Sequence, residues 1–280
     1  MQQKNNETWY LSPLRKEKTA SFKINHARNV WYDHGEGLGG DTIGLICVYL
    51  KRSNENNSVS DALRWLTNMM GYATRIEPIH TPVDTKNTPK LKKVEVKALS
   101  EPALVHYLEG RGIPLDLADR YLKQVRVENT ESGKKFNLIG FRNEDGGYEL
   151  RSRSFKSNVG KKYLTFIRGN VIKPPGVHIF EGFMDYLSAL LQHNNGNNFD
   201  DDAIILNSLS FLSHATPFIK GYGYTTAYTW MDNDGAGIAA TRSLQAFLKT
   251  EENLTHRVMN HIYAGHKDVN AWHMHKLQLT

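Results

Sequence analysis

The chain has 280 residues, of which 40% are hydrophobic, and it carries a formal net charge of +6. It is long enough for one large domain or two smaller ones, and its basic balance suits a polyanionic partner such as nucleic acid without specifying one. The single cysteine, Cys47, excludes an internal disulfide and a cysteine-rich zinc site. The polar N-terminus and the lack of a long apolar run predict a cytoplasmic protein that does not enter a membrane.

The first part of the chain has the pattern of a small antiparallel sheet. Polar and apolar residues alternate over residues 9–40 around a predicted turn at 26–29, and the strand pattern runs into a glycine-rich loop. Helical spacing over 42–50 and 61–70 predicts two helices, each preceded by residues that cap helices. Residues 72–97 are rich in Thr, Pro, Lys and Asn and lack this periodicity, so we interpret them as a linker.

The second part of the chain changes from short mixed elements to a regular α/β pattern. Two short helices are predicted at 102–109 and 115–123. A hairpin is predicted from strands at 135–142 and 148–155, which flank the turn sequence NEDGG. From Val177 onward strands and helices alternate, which predicts an α/β domain with a mostly parallel sheet.

Two strand-like runs in this domain end in acidic residues. The sequences VHIFEGFMD and YTWMDNDGAG place Glu181, Asp185, Asp232 and Asp234 just after apolar runs. Because the carboxyl ends of parallel strands meet at one edge of a sheet, we expect these four acids to converge there, with glycines relieving the crowding beside them. Such a cluster of oxygen ligands favours Mg²⁺ or Mn²⁺, and Glu181 could act as a general base. The alternative interpretation is that the same residues are turn formers and helix caps.

These acidic motifs carry a resemblance to a known family. E-G-F-M-D at 181–185 and D-N-D-G-A-G at 232–237 resemble the Toprim signature of bacterial primases, topoisomerases and some nucleases. The variant EGxMD of the first motif, with a hydrophobic strand before it, most resembles the bacterial DnaG-type DNA primases. The resemblance implies that Glu181, Asp232 and Asp234 support metal-dependent nucleotide polymerisation, with Asp185 beside them.

A third acidic motif of the family is expected after the next strand. The sequence HKDVN stands at this place, so the resemblance implies that Asp268 is a further metal ligand. A second aspartate that is common in the family is replaced here by Asn270.

A basic stretch precedes the α/β domain. By itself this stretch could be a solvated strand face. Its end, K-K-Y-L, is similar to the primase segment in which basic residues hold the template strand and nucleoside triphosphates. Arg153 and Lys162 are the positions that match best. The residues predicted to bind nucleic acid or nucleotide in this stretch are Arg151, Arg153, Lys156, Lys161, Lys162 and Arg168.

The N-terminal part resembles the primase zinc-binding domain without its metal ligands. Where that family has Cys, His, Cys and Cys, this sequence has Ser12, Arg15, Asp33 and Glu36. We therefore expect no zinc here, and we expect Arg15 to pair with Asp33 or Glu36 in place of a metal crosslink. Contact with the template is expected to persist through basic residues that include Arg15 and Lys18.

The predicted architecture is a Toprim α/β fold, a parallel sheet flanked by helices. It is preceded by a small mixed α+β subdomain and a small N-terminal zinc-ribbon-like β domain that lacks zinc ligands. The predicted divisions are a DNA-binding domain at 1–71, a linker at 72–97, a basic subdomain of the catalytic core at 98–172 and the Toprim domain at 173–280.

The resemblance implies a DNA primase that makes short primers on single-stranded DNA from nucleoside triphosphates with Mg²⁺ or Mn²⁺. The chain ends soon after the Asp268 helix, so any partnership with a replicative helicase is expected to be indirect or absent, and a plasmid, phage or other mobile element is the expected origin. Two alternatives remain open. The same acids could serve a Toprim nuclease, or the protein could be a non-catalytic DNA-binding replication factor.

Overall fold

The computed structural model describes residues 2–4, 6–53, 57, 59, 61–62, 65–66, 91–171 and 174–279. The chain divides into two compact units, Met1–Ala73 and Thr74–Thr280. Most of the predicted linker, residues 72–90, lies outside the described residues. Within the ranges that are described, no helix is long and apolar enough to cross a membrane.

The first unit contains a five-stranded antiparallel sheet whose strands follow one another in chain order. The predicted turn between the third and fourth strands is confirmed, and part of the predicted glycine-rich loop is instead the fifth strand. Asp41 caps the following helix by accepting a hydrogen bond from the Gly44 amide at 2.7 Å, as the sequence predicts. The elements are β1 Gln2–Lys4, β2 Glu7–Tyr10, β3 Phe22–Asn25, β4 Val30–Asp33, β5 Leu38–Asp41 and α1 Thr42–Arg52.

Among the described residues of this unit, the buried apolar side chains form two small clusters, one of Leu14, Phe22 and Trp31 and one of Ile46, Leu50 and Ala62. The Phe22 and Trp31 rings stack with their centroids 5.4 Å apart. Of the helix predicted at 61–70, the described residues 61, 62, 65 and 66 are helical, and the rest lies outside the described residues. Crosslinks between side chains add to the stability of clusters of this size.

A network of charged and polar side chains supplies such crosslinks at the positions where the resemblance places zinc ligands. Asp33 is fully buried and accepts hydrogen bonds from the Ser12 hydroxyl at 2.5 Å and the Arg15 guanidinium at 2.8 Å. Arg15 also lies 3.5 Å from Glu36. The predicted pairing of Arg15 with these acids is therefore confirmed. Burial raises the pKa of Asp33, but the hydrogen bonds from Ser12 and Gly35 and the charge of Arg15 outweigh it and lower the pKa.

Replacing Asp33 with Asn should destabilise this unit by about 2 kcal/mol, because it weakens the buried acceptor that Ser12 and Arg15 share, while Arg15 keeps its contacts with Glu17 and Glu36. The expected result is faster amide hydrogen exchange in β3 and β4. Glu7→Gln is the matched control, since Glu7 pairs with Lys23 at 3.2 Å in a more exposed position and its replacement should change the exchange rates much less. Equal exchange in the two variants would contradict a structural role for the network.

The second unit begins with another antiparallel sheet of five strands, in the order β10-β9-β8-β7-β6. Its edge strand corrects the predicted linker, because residues 91–97 form β6. The helix predicted at 115–123 ends at Tyr121, since Leu122 begins β7. The predicted hairpin around NEDGG is confirmed. The elements are β6 Leu91–Lys97, α2 Pro102–Glu109, α3 Leu115–Tyr121, β7 Leu122–Asn129, β8 Lys135–Arg142, β9 Tyr148–Arg151 and β10 Lys156–Val159.

The third sheet has the order β11-β13-β12-β14-β15, and all of its neighbouring strands are parallel except the β11–β13 pair. Helices connect the parallel strands, which confirms the predicted α/β class. The elements are β11 Thr165–Ile167, β12 Gly176–Phe180, α4 Phe183–Asn194, β13 Asp202–Ile205, a 3₁₀ turn Leu209–Phe211, α5 Leu212–Ile219, β14 Thr226–Trp230, α6 Gly235–Leu248, β15 Thr255–Val258 and α7 Val269–Lys276.

The second and third sheets share one hydrophobic core. Phe141 of β8 stacks on Phe183 at the start of α4, with ring centroids 5.0 Å apart. Ile139, Tyr186 and Trp230 belong to the same buried cluster. One face of the second sheet is thereby held against the helix that follows β12, where the first acidic motif lies.

Candidate active site

Glu181 and Asp232 lie side by side because they follow neighbouring parallel strands. The strands β12 and β14 pair with Phe180 opposite Trp230, so the residues that follow emerge together. The Glu181 amide donates to the Trp230 carbonyl at 3.3 Å, and the Asp232 amide donates to the Glu181 carboxylate at 3.2 Å. The structure thus brings together the first acid of each motif.

Asp185 and Asp268 approach this pair from two helices. Asp185 lies in the first turn of α4, is 8% exposed, and accepts a hydrogen bond from the Asn270 amide at 3.1 Å. Asp268 caps α7 by accepting from the Ala271 amide at 2.7 Å. Burial and the charges of Asp268 and Asp232 raise the pKa of Asp185 well above its ordinary value. These acids are close enough to repel one another.

Asp234 has the helix-cap role that the alternative interpretation gave it. Its exposed carboxylate accepts from the Ala236 and Gly237 amides at 3.0 and 2.9 Å and begins α6. Gly237, rather than Gly235, is the glycine that permits close packing, since a Cβ there would lie 2.1 Å from the Asp232 carbonyl oxygen. Asp234 therefore faces solvent beside the cluster.

The pKa values of the central carboxylates, Glu181 and Asp232, are raised. Burial raises the pKa of Glu181 to about 7, and the charges of Asp232 and Asp234 add to the effect. Burial and the charge of Asp268 raise the pKa of Asp232, although Lys267, 3.4 Å away, opposes the rise. A cation that bound here would relieve this repulsion.

The chemistry of this donor set fits a hard divalent cation. All the ligands are carboxylate oxygens, and the ammonium group of Lys267 already stands beside Asp232. Among the described residues, no three His, Cys, Asp or Glu side chains are arranged as a ready metal cage. Mg²⁺ does not require one, because it usually binds one or two carboxylates and completes its shell with water and substrate phosphates. Glu181 and Asp232 would be its ligands here.

Basic side chains of the second sheet face the acidic cluster. Burial and the charges of Arg151 and Lys162 lower the pKa of Lys156, whereas the charges of Glu181 and Asp232 raise it. Arg151 lies over the Phe183 ring at 5.8 Å, and it interacts electrostatically with Asp185. Two of the predicted phosphate-binding residues therefore lie beside the predicted metal ligands.

Glu149 is a member of this surface that sequence reasoning missed. It is 5% exposed, and its Oε1 atom has no hydrogen-bond partner. Burial raises its pKa to about 7, against the opposing charges of Lys162, Arg151 and Lys156. Its position two residues before Arg151 on a strand was the one available signal, because alternate residues of a strand share a face.

The remaining predicted basic residues are placed differently. Arg153 and Lys161 are exposed, and Lys162 is half-buried. Arg168 follows β11, which runs antiparallel to β13, so it lies at the opposite edge of the third sheet from the acids. There it donates to the Tyr222 hydroxyl at 2.6 Å and lies 3.5 Å from Asp202. The structure does not bring Arg168 to the acidic cluster.

The two predicted binding residues of the first unit also differ from each other. Arg15 is engaged in the network with Asp33 and Glu36, so its role there is structural. Lys18 is exposed.

Hydrogen bonds join the loops that carry the second and third acidic motifs. The Asn233 amide donates to the Lys267 carbonyl at 2.6 Å, and its side chain donates to the His266 carbonyl at 2.8 Å. Asn270, which replaces the expected second aspartate, is fully buried and donates to the Arg111 carbonyl and the Ser188 hydroxyl, both at 2.9 Å. A carboxylate could make neither donation.

Comparison with known families matches this arrangement of motifs. A family model described as Toprim-like matches residues 178–273. These residues form a Toprim-like domain. The Toprim-like domain contains all five predicted acids, which confirms the resemblance of their motifs. A second model, described as a domain of unknown function (DUF8464), matches residues 93–160, which span the second sheet.

Two solved structures are similar in fold to the chain. The Aquifex aeolicus primase fragment with zinc binding and RNA polymerase domains is 14% identical, with 99% of this chain and 79% of that chain covered and a TM-score of 0.43. The primase fragment of the bacteriophage T7 primase-helicase is 11% identical, with 93% and 91% covered and a TM-score of 0.44. No curated protein matches the chain at a significant level.

Replacing Glu149 with Gln should remove a pH-dependent loss of stability. The folded chain holds the Glu149 proton up to about pH 7, whereas the ordinary pKa of a glutamate is 4.5. The stability that the protonated Glu149 contributes is fully present below the ordinary pKa of 4.5. It is lost as the pH rises through the pKa of about 7 in the folded chain. Denaturant unfolding should therefore show that the unfolding free energy of Glu149→Gln, relative to that of the wild type, increases by about 2–3 kcal/mol between about pH 5 and about pH 8.

Glu128→Gln is the control for this experiment. Glu128 lies in the same sheet and pairs with Lys135 at 3.5 Å. Its replacement should give a difference from the wild type that does not grow with pH. Parallel stability curves for the wild type and Glu149→Gln would show that the Glu149 carboxyl is not buried as described.

Replacing Asn270 with Asp should destabilise the Toprim-like domain rather than improve its site. The change removes both hydrogen bonds that the Asn270 side chain donates, to Arg111 and Ser188, and it adds a charge beside Asp185. The expected cost is about 3 kcal/mol in unfolding free energy. Asn194→Asp removes a similar side-chain donation, to the Asn198 carbonyl, outside the acidic cluster and should cost about 1 kcal/mol. An Asn270→Asp variant as stable as the wild type would refute the structural role of this amide.

Proposed function

We propose that the chain is a DNA primase-like nucleotidyltransferase that makes short primers on single-stranded DNA. The observation that carries the proposal is the meeting of two kinds of side chain. Lys156 of the preceding sheet interacts electrostatically with the carboxylates of Glu181 and Asp232 in the Toprim-like domain. Arg151 of the same sheet interacts with the neighbouring Asp185. Phosphoryl transfer needs both, because anionic phosphates must be held by cations while charge builds up on oxygen.

The proposed reaction joins two nucleotides. The 3′-hydroxyl oxygen of one attacks the α-phosphorus of a nucleoside triphosphate, and the bond from that phosphorus to the bridging oxygen breaks and releases pyrophosphate. Mg²⁺ or Mn²⁺ held by Glu181 and Asp232, with Asp185 and Asp268 as supporting charges, would polarise the phosphoryl oxygens. Where Glu181 is free of metal, it accepts the proton that the hydroxyl loses, for which a pKa of about 7 is well matched.

The basic side chains have the complementary role. Arg151 and Lys156 bind phosphate oxygens of the triphosphate or the template, and Lys162 supports them from beside Glu149. Arg153, Lys161 and Lys18 are exposed and available for less specific contact with the DNA backbone. A replicative helicase is a further candidate partner.

The decisive test of the proposal is primer synthesis by the full chain with single-stranded DNA, labelled ribonucleotides and Mg²⁺ or Mn²⁺. Short oligoribonucleotides are expected, and EDTA should abolish them. Glu181→Gln retains the acceptor for the Asp232 amide but loses the charge, so it should lower the rate by at least about 100-fold. The exposed Glu252→Gln should have the wild-type rate.

The other outcomes identify the alternatives. Shortening of the template that also depends on Glu181 would indicate a nuclease. Binding of DNA with neither product would indicate an accessory factor. Synthesis by Glu181→Gln at the wild-type rate would overturn the assignment of this active site.

A further inference from the structure

A basic groove lies at the end of the second sheet where β6 and β8 end and β7 and β9 begin, and its residues Lys123, Arg142 and Tyr148 are on the face that points away from the acidic cluster. Leu138, Tyr148 and Leu150 belong to a separate apolar cluster on this face, whereas Ile139 and Phe141 of the other face join the main core. The groove has a volume of about 500 Å³. It is lined by Val96, Lys97, Ala98, Arg120, Tyr121, Lys123, Arg142 and Tyr148, which we call the outer groove.

The lining of the outer groove has four cationic side chains and no carboxylate. Lys97, Arg120, Lys123 and Arg142 are all exposed. Within the described ranges, none of the four forms an ion pair with an acid. A fifth cation, Lys93, lies 5.3 Å from the centre of the Tyr148 ring. The Arg120 guanidinium also donates a hydrogen bond to the Gly196 carbonyl, so the charges of Lys97, Lys123 and Arg142 are the ones available to a ligand.

Strand pairing sets the positions of two of these cations, Lys123 and Arg142, on one face of the sheet. Arg142 pairs directly with Tyr148 across β8 and β9, and Lys123 pairs with Gly140 across β7 and β8. Gly140 has no side chain, and a Cβ there would lie 2.3 Å from Val125 and 3.0 Å from the Tyr148 ring. The missing side chain therefore leaves room for the Tyr148 ring and the Val125 side chain above Gly140. The groove thus has an apolar floor between cationic edges.

The two basic surfaces differ in whether acidic residues lie beside their cations. On the inner face, Arg151 interacts with Asp185, and Lys156 interacts with Glu181 and Asp232 of the Toprim-like domain. On the outer face no such neutralisation exists among the described residues. Uncompensated cations along a concave surface attract a polyanion and bind its phosphates with strong salt dependence.

We propose that the outer groove binds the phosphate backbone of single-stranded DNA outside the active site, as a second contact for the template. The identity of the polyanion rests on the proposed function. A flexible single strand suits a groove of this size, and its bases would lie over the apolar floor while its phosphates contact Lys97, Lys123 and Arg142.

The test is equilibrium binding of the full chain to a fluorescent oligothymidylate in EDTA, without nucleotides. Lys123→Glu/Arg142→Glu should weaken binding by at least 10-fold, and the slope of log K against log salt should become shallower by about 1.4, since about 0.7 is lost for each single-strand phosphate contact. The control Lys249→Glu/Arg257→Glu makes the same change of net charge at exposed positions of the Toprim-like domain and should bind within about 2-fold of the wild type.

A second measurement on the wild-type chain does not depend on the folding of a variant. The oligonucleotide should protect Lys97 and Lys123 from acetylation, read by mass spectrometry, and should leave Lys249 reactive. Equal loss of affinity in both double variants, or no protection of the groove lysines, would overturn the proposal. Displacement of the DNA probe by DNA but not by polyglutamate is expected. Protection by polyglutamate alone would instead indicate an acidic protein partner.

The two proposals fail separately. Because the binding assay contains neither metal nor nucleotide, Glu181→Gln should bind like the wild type. A chain that binds DNA through the groove but makes no primers would contradict the proposed function only.

Discussion

Repulsion among buried carboxylates is the interaction on which the catalytic unit depends. Asp185 is almost fully buried, and Glu181 and Asp232 are partly buried, at one edge of a parallel sheet, where each raises the pKa of another. When no cation is bound, burial and mutual repulsion disfavour the charged form of these carboxylates. The surrounding elements must therefore hold the carboxylates in place. The hydrogen bonds from Asp232 and Asn270 amides and the nearby Lys267 provide that support.

Much of this arrangement could be predicted from the sequence, because the acids stand at the ends of strongly apolar strands. The roles of individual residues could not be predicted as well. The sequence did not show that Asp234 would also cap a helix, which it does through Oδ1 alone while its charge acts on Glu181. Arg168 belongs by sequence to a basic stretch, but the reversed direction of β11 carries it to the other edge of the sheet. Glu149 required knowledge of which strand face is buried, and strand pairing decides that face.

The first unit also contains a buried carboxylate, Asp33, but there a basic side chain compensates the charge. Its core is small, and the resemblance predicted that a charged contact would replace a zinc crosslink. The fully buried Asp33 is satisfied by Ser12 and Arg15 together, so the charge is compensated within the network. A metal would tie these segments through bonds that require cysteine or histidine. A charged network ties them through residues whose protonation depends on pH, as the lowered pKa of Asp33 indicates.

The antiparallel strand β11 has a consequence for the modularity of the chain. It precedes residues 178–273, the segment that matches the Toprim-like family, yet it forms the edge of that domain's sheet by pairing with β13, and Phe166 is buried in its core. A fragment cut at the family boundary would leave one side of β13 with unpaired backbone groups, which favour association between chains. The smallest autonomous folding module must therefore begin upstream of β11, and exchange of this domain between proteins would have to carry that strand along.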